Sequence, residues 1–266
     1  MKAVLKYPGA KNRIANKIVK LIPKHTCYCE PYFGSGAIFF NKLPCYNEII
    51  NDIDDQVYNF FKVLRERQDE LIKAIKMTPY SRTEYINSYK SDGNIDEIEK
   101  ARRFAIKCWQ GFGCGNKYKN GFRRGIGQTS PNPAKAWGEL EVTLKSATKR
   151  LKNVQIENID AIELINSIKS NSEAFIYIDP PYLQSTRKKY LYNHELSDSD
   201  HIRLLESIKC CNCKIMISGY ESDMYEKYLK GFTKIKIKTT AECSVPRTEV
   251  LWMNYKQFEQ IEFQNI

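Results

Sequence analysis

Apolar residues recur along the chain in two rhythms. Short runs rich in β-branched and aromatic residues, at Thr26–Glu30, Glu48–Asn51, Val154–Glu157, Ala174–Ile178, Lys214–Ser218, Thr233–Lys238 and Val250–Tyr255, read as seven strands. Between them, apolar positions three and four apart predict helices over Lys11–Leu21, Gly36–Lys42, Asp55–Ile75, Ile159–Lys169, Ser199–Lys209 and Ser222–Leu229, each with capping residues at its ends. Strands alternating with amphipathic helices specify an α/β fold, Rossmann-like, with one sheet covered by helices on both faces.

The alternation fails between about residues 76 and 148. A helix is expected over Ile95–Trp109, followed by a loop-rich stretch, Gly111–Gly127, that holds six of the chain's 13 glycines. A long irregular segment inside a compact fold is usually functional or disordered, and the aromatics here argue against disorder. The expected organisation is a discontinuous core, 1–60 and 145–266, interrupted by an inserted, mainly helical subdomain, 61–144.

Charge sharpens that division. The 266 residues carry 42 Lys+Arg against 31 Asp+Glu, a net charge of +11. Between Lys100 and Lys152 stand 13 basic residues and two acidic ones, Glu139 and Glu141, so this fifth of the chain accounts for the whole excess. A basic insert on a neutral core points to a polyanionic partner.

Several classes drop out. No apolar run approaches the roughly 18 residues of a membrane span, and the lysine-rich start is broken by Tyr7-Pro8-Gly9 with no signal-peptide core behind it, so a cytoplasmic protein is expected. The nine cysteines lack the paired spacing of structural zinc sites and read as reduced, partly buried thiols. His25, His194 and His201 are too scattered for a metal cluster and read as surface or turn residues; no metal is expected.

Three motifs carry chemistry. Cys29-Glu30-Pro31-Tyr32-Phe33-Gly34-Ser35-Gly36 follows a strand, where glycines let backbone amides approach a ligand at the sheet's carboxyl edge. The second strand ends Asn51-Asp52-Ile53-Asp54; a carboxylate there can accept both hydroxyls of a ribose, a role that suits Asp52, while Asp54 suits a helix N-cap. The third is Asp179-Pro180-Pro181-Tyr182 at the end of an apolar strand. Prolines offer only carbonyl acceptors. If the Asp179 carboxylate and the Pro180 carbonyl take both hydrogens of an exocyclic amine, its nitrogen lone pair is freed for attack and the developing positive charge is stabilised. Tyr182 could stack on the base that bears the amine.

Leu5-Lys6-Tyr7-Pro8-Gly9-Ala10-Lys11, Glu30–Gly36 and Asp179–Tyr182, in this order, resemble the Dam-like (D12 class, alpha-type motif order) S-adenosylmethionine-dependent DNA adenine-N6 methyltransferases over nearly the whole chain. The resemblance implies a seven-stranded methyltransferase sheet with an inserted target-recognition domain. It implies S-adenosylmethionine as methyl donor, held by Tyr7, Lys11, Phe33, Gly34, Gly36, Asp52 and Asp179, with Asp179, Pro180 and Tyr182 catalytic. Tyr7 stands where many members carry Trp, and Ala10 where many carry a second Gly. Pro246–Trp252 looks like the family's closing strand. Asp160 is a lesser candidate for a cofactor contact and reads first as a helix-start residue.

In this light the basic insert would bind double-stranded DNA through Lys117, Lys119, Arg123 and Arg124, with Trp109, Phe112, Tyr118, Phe122 and Trp137 available to fill a gap in the base stack. The target amine is inaccessible in a stacked duplex, so base flipping is expected before site-specific, in-line methyl transfer to adenine N6. Cytosine N4 or RNA adenine N6 would suit the same chemistry, and a non-catalytic DNA-binding regulator is the rival from another class. A cognate restriction endonuclease is a candidate partner, and a monomer or weak dimer the expected state, in a bacterial or phage-infected cytoplasm.

Overall fold

Ala174-Phe175-Ile176-Tyr177-Ile178 is buried on both faces, as an apolar run sandwiched between two helical layers must be. In the computed structural model, which describes residues 1–90, 93–113, 118–127, 132–187, 190–240 and 246–256, this run is β4 of a seven-stranded sheet. The strands are β1 (Cys27–Glu30), β2 (Asn47–Asn51), β3 (Gln155–Glu157), β4 (Ala174–Ile178), β5 (Lys214–Gly219), β6 (Thr233–Thr240) and β7 (Pro246–Met253). Their order is β3-β2-β1-β4-β5-β7-β6. The first five run parallel, while β7 is antiparallel to both β5 and β6.

The described helices are α1 (Ala15–Val19), α2 (Asp55–Glu66), α3 (Gln68–Lys76), α4 (Arg82–Asn87), α5 (Glu97–Gln110), α6 (Pro133–Gly138), α7 (Leu140–Leu151), α8 (Ala161–Ile168), α9 (Asp198–Lys209) and α10 (Asp223–Tyr228). Strand alternation divides the core between the two faces. Tyr28, Phe175, Tyr177 and Met216 meet α2, α3, α5 and α7 on one face; Cys29, Ile176, Ile178 and Ile215 meet α8, α9 and α10 on the other. None of the described helices is long and apolar enough to cross a membrane.

Some elements differ from expectation. The helix over Lys11–Leu21 contracts to α1, because residues 12–14 form a turn in which the Ile14 N–H reaches back only to Lys11. Gly36–Lys42 is a set of turns: Gly36 takes φ +65°, the Asn41 side chain donates to the Ala37 carbonyl, and Pro44 follows closely. Asp55–Ile75 breaks at Arg67 (φ −129°, ψ 44°), so that α2 and α3 each present an amphipathic face to α5. His201, expected at the surface, is fully buried: it shares α9's inner stripe with Leu204, Leu205 and Ile208, and its Nδ1 lies 3.0 Å from the Tyr225 hydroxyl. The boundaries expected at 60/61 and 144/145 fall inside α2 and α7.

Candidate active site

Strand order turns outward in both directions from the β1–β4 pair, and at such a switch point the connections leave a crevice beyond the strand ends. A cleft of about 680 Å³, counting the part open to solvent, lies there. Its walls are the Tyr7–Lys11 segment, the turn after β1, Asp52 to Asp54 after β2, Asp179 after β4, and Tyr192 and His194 from the following loop.

The glycine turn is shaped by backbone geometry. Gly34 and Gly36 adopt φ +48° and +65°, a region that side chains with a Cβ rarely enter. The Gly34 N–H donates to Asp52 Oδ2 at 2.8 Å and the Asp54 N–H to Oδ1 at 2.9 Å. Burial nevertheless pushes the Asp52 carboxyl up to about 7, against the pull of those two amides. Phe33 is buried, with its ring edge-on to Phe39 and Phe61. Asn51 locks the strand ends together: its amide donates to the Pro31 and Ile159 carbonyls and accepts from the Ile159 N–H. Asp54 caps α2, as read from the sequence, and accepts a second bond from Asn193. Asp160 caps α8 through the amides of Ile162 and Glu163, and it is not part of the cleft wall.

A buried charge cluster sits at the end of β4. Lys11 Nζ donates to Asp179 Oδ1 at 2.8 Å and Oδ2 at 2.7 Å, and to the Gly9 carbonyl at 2.9 Å. Ser218 from β5 donates to Asp179 Oδ1 at 2.8 Å. The Tyr182 hydroxyl lies 3.1 Å from the same oxygen and makes a short hydrogen bond to Glu249 Oε1 of β7. Glu249 Oε1 is itself 3.7 Å from Lys11 Nζ. Burial opposes charge on Lys11, but Asp179 and Glu249 outweigh it and hold the ammonium above the usual lysine range. Burial, with Asp179 nearby, raises the Glu249 carboxyl. Glu30 is also buried and is pushed up to about 8 by burial, although the Tyr28 hydroxyl donates to it at 2.7 Å.

The candidates Tyr7, Lys11, Phe33, Gly34, Asp52 and Asp179 thus converge on one cleft. Pro180 and Tyr182 adjoin it without lining it. Tyr182 is buried, with Lys11 Nζ 4.9 Å from its ring centre and Tyr220 packed edge-on at 4.8 Å, so its face is covered rather than offered to a base. Three contributors were not singled out from sequence: Ser218, Glu249 and Tyr192. Glu249 carried a faint signal, an acidic residue at the mouth of the apolar run Val250–Met253.

In the insert, Gly111 and Phe122 pair across an antiparallel bridge, and the Phe112 N–H donates to the Gly121 carbonyl at 2.6 Å. The Tyr85 hydroxyl holds the Asn120 carbonyl at 2.6 Å and the Tyr80 hydroxyl holds that of Arg123 at 2.7 Å. Lys119 and Arg124 are exposed, with Phe112 and Tyr118 beside them on the surface. Lys117 lies outside the described residues. Arg123 is half-buried: its Nε donates to the Gly111 carbonyl at 3.1 Å and its guanidinium lies over Phe112. Trp109 and Trp137 are not available to DNA, because both are buried and their indole N–H groups donate to the Val4 and Thr78 carbonyls. Part of the basic excess is also answered by nearby carboxylates: Arg102 and Arg103 by Glu99 on the same helix, and Arg150 by Glu48 of β2.

The sequence profile of the D12 class N6 adenine-specific DNA methyltransferases matches residues 7–243. The type II methyltransferase M.MjaIII of Methanocaldococcus jannaschii is 29% identical over 294 residues, covering 96% of this chain and 99% of that protein. The type II methyltransferase M1.LlaDCHI of Lactococcus lactis subsp. cremoris is 29% identical over 252 residues, covering 88% of this chain and 87% of its own. The DNA adenine methylase of Escherichia coli is 29% identical over a shorter stretch of 75 residues, 28% of this chain and 27% of that one.

Proposed function

The chain belongs to the D12 class N6 adenine-specific DNA methyltransferases, and from that premise we propose how its own residues bind S-adenosylmethionine and methylate adenine N6 in DNA. The observation that carries the reading is the position of Asp179: held by Lys11 at the end of β4, it faces a cleft whose other wall is the glycine turn and Asp52. The cleft suits the cofactor chemically. Asp52 sits at a strand end with acceptor capacity left on both carboxylate oxygens, ready for ribose hydroxyls, and ionises more readily once they donate to it. Tyr7, packed against Gly34, supplies an aromatic wall, and Phe33 supports the turn from below.

When bound, S-adenosylmethionine supplies a methyl group on a positively charged sulfur that is already a good leaving group. The chain must therefore add placement and lone-pair activation. Asp179 accepts one hydrogen of the flipped adenine's amine at Oδ2, where the bond from Lys11 leaves acceptor capacity, and the Pro180 carbonyl accepts the other. The carboxylate also stabilises the positive charge that develops on nitrogen. Lys119 and Arg124, exposed on the insert, contact phosphates, and Phe112 or Tyr118 beside them fills the gap left by the flipped base. The two relatives named as type II methyltransferases span nearly the whole chain, which supports a place beside a cognate endonuclease in a restriction-modification pair.

The test is methylation of unmodified genomic DNA by the purified protein, with nucleoside digestion and single-molecule sequencing of the product. N6-methyladenine at one short sequence is expected, and Asp179→Ala should abolish it while retaining DNA binding. N4-methylcytosine, or no transfer by the unsubstituted protein, overturns the reading.

A further inference from the structure

We propose that Glu249 is a second counter-ion of the active site, the group that takes the Lys11 ammonium when Asp179 turns to its substrates. The inference rests on the methyltransferase reading and deepens it by assigning a positioning residue. Lys11 currently occupies both oxygens of Asp179, at 2.8 and 2.7 Å. The amine competes with that ammonium for the carboxylate: Oδ1 also accepts from Ser218 and Tyr182, so the bond to the substrate strengthens as Lys11 withdraws from Oδ2. Its side chain is 7% exposed, so little water can replace a lost ion pair. Leaving Asp179 without a second anion nearby would strand a buried charge. Glu249 Oε1 is that anion, 3.7 Å from Nζ, so a shift of about 1 Å completes a normal ion pair.

The charge count leads to the same assignment. Lys11, Asp179 and Glu249 form a set of one cation and two acids, all at most 17% exposed. A cationic sulfonium in the cleft supplies the second positive charge. Two cations then face two carboxylates: Lys11 settles on Glu249, and Asp179 is left to the sulfonium side and the amine. Before the donor binds, the surplus negative charge is unfavourable, consistent with burial and Asp179 raising the Glu249 carboxyl. The Tyr182 hydroxyl, shared between Asp179 and Glu249, bridges the two acids and keeps Glu249 facing Lys11.

The test is a binding measurement that needs no turnover. Calorimetry compares S-adenosylmethionine, a cation at sulfur, with S-adenosylhomocysteine, a neutral thioether of almost the same shape, on the unsubstituted protein and on Glu249→Gln. The amide keeps the acceptor for Tyr182 and removes the charge. The expected result is unchanged thioether affinity, within about twofold, and sulfonium affinity weakened roughly tenfold. Glu249→Asp, which restores the charge, should recover most of the preference. Glu249→Met carries the same expectation as Gln if the amide is not tolerated. Equal losses for both ligands would mark a merely structural role and overturn the proposal, as would no loss for either. If the unsubstituted protein binds neither ligand, it is the methyltransferase reading that fails.

Discussion

The ammonium of Lys11 touches both carboxylate oxygens of Asp179 across 168 positions of sequence. The contact closes the N-terminal segment over the end of β4 and holds the catalytic candidate in one orientation. Its removal has a predictable sign. Lys11→Met leaves Asp179 and Glu249 buried side by side without their cation, a loss of about 3–5 kcal/mol near neutral pH. Because Lys11 is held above the usual lysine range, its contribution is fully present below the unfolded value of about 10.4 and is lost only as pH rises through the higher folded value. The substituted protein behaves differently: its unpaired acids bind protons more tightly when folded, so the deficit should shrink toward acid pH. Urea unfolding of both proteins at acid and neutral pH measures this, and a deficit that does not change with pH would contradict it.

Glu30 and Asp52 make the protein without cofactor sensitive to pH in the same direction. Their carboxyls are pushed up by burial to about 8 and about 7, against unfolded values of about 4.3 and 3.9. Between the unfolded and folded values the native state holds a proton that the unfolded state lacks, so stability falls as pH rises. Each group contributes up to about 1.4 kcal/mol per pH unit, and the contribution is exhausted above its folded value. Glu30→Gln cannot ionise. The stability of the unsubstituted protein relative to this variant should therefore decline from about pH 4 to about pH 8 and then level off, as read by unfolding across that range. A flat difference would mean that Glu30 ionises normally.

Much of this site was legible because its residues lie in contiguous motifs at strand ends. An all-apolar β4 could only be a central strand, so Asp179 had to emerge at the sheet's carboxyl edge. Asp54 and Asp160 declared themselves as caps by their place just before a helical pattern. Residues that join the site from distant strands were not legible. Ser218 and Glu249 reach Asp179 through the β4–β5–β7 pairing, and no local spacing records that register. Trp109 and Trp137 were misplaced because aromatic content and basic charge in the insert look alike whether a ring faces DNA or the core. Burial was decided by tertiary packing: Trp109 of α5 reaches the Val4 carbonyl, and Trp137 of α6 reaches the Thr78 carbonyl beside α3 and α7.

Within the insert, Arg123 and Arg124 are neighbours in sequence with separable roles. Arg124 is exposed, whereas Arg123 ties the hairpin base to Gly111 and Phe112. Arg124→Ala should weaken binding to any DNA sequence and lower the slope of log K against log salt by about 1, with an unchanged melting temperature. Arg123→Ala should lower the melting temperature as well, by a few degrees for a loss of about 1 kcal/mol. Fluorescence anisotropy at several salt concentrations, alongside thermal melts, distinguishes the two. Identical behaviour of both variants would dissolve the distinction.

The glycine turn offers a contrast between two substitutions of the same kind. At Gly36 a Cβ would stand 2.4 Å from Phe33 Cζ and 2.8 Å from Phe40 Cε2, and φ is +65°. Both rings lie in the aromatic core with Phe39 and Phe61, so neither can move far. At Gly34 the Cβ would meet Tyr7 Cδ1 at 2.9 Å, with φ +48°. Tyr7 lines the cleft, so it has cleft space to move into. The backbone cost of a positive φ, about 1 kcal/mol, is common to both. Overpacking adds about 1–3 kcal/mol at Gly36, where the core resists. At Gly34 the strain is relieved by tilting Tyr7 into the volume a cofactor needs. Gly36→Ala should therefore lose more stability than Gly34→Ala in urea unfolding, while Gly34→Ala should lose more affinity for S-adenosylmethionine in calorimetry, about tenfold for each 1.4 kcal/mol of lost wall contact. If Gly36→Ala proved the weaker cofactor binder and the more stable of the two, Tyr7 would not be the wall against which the donor rests.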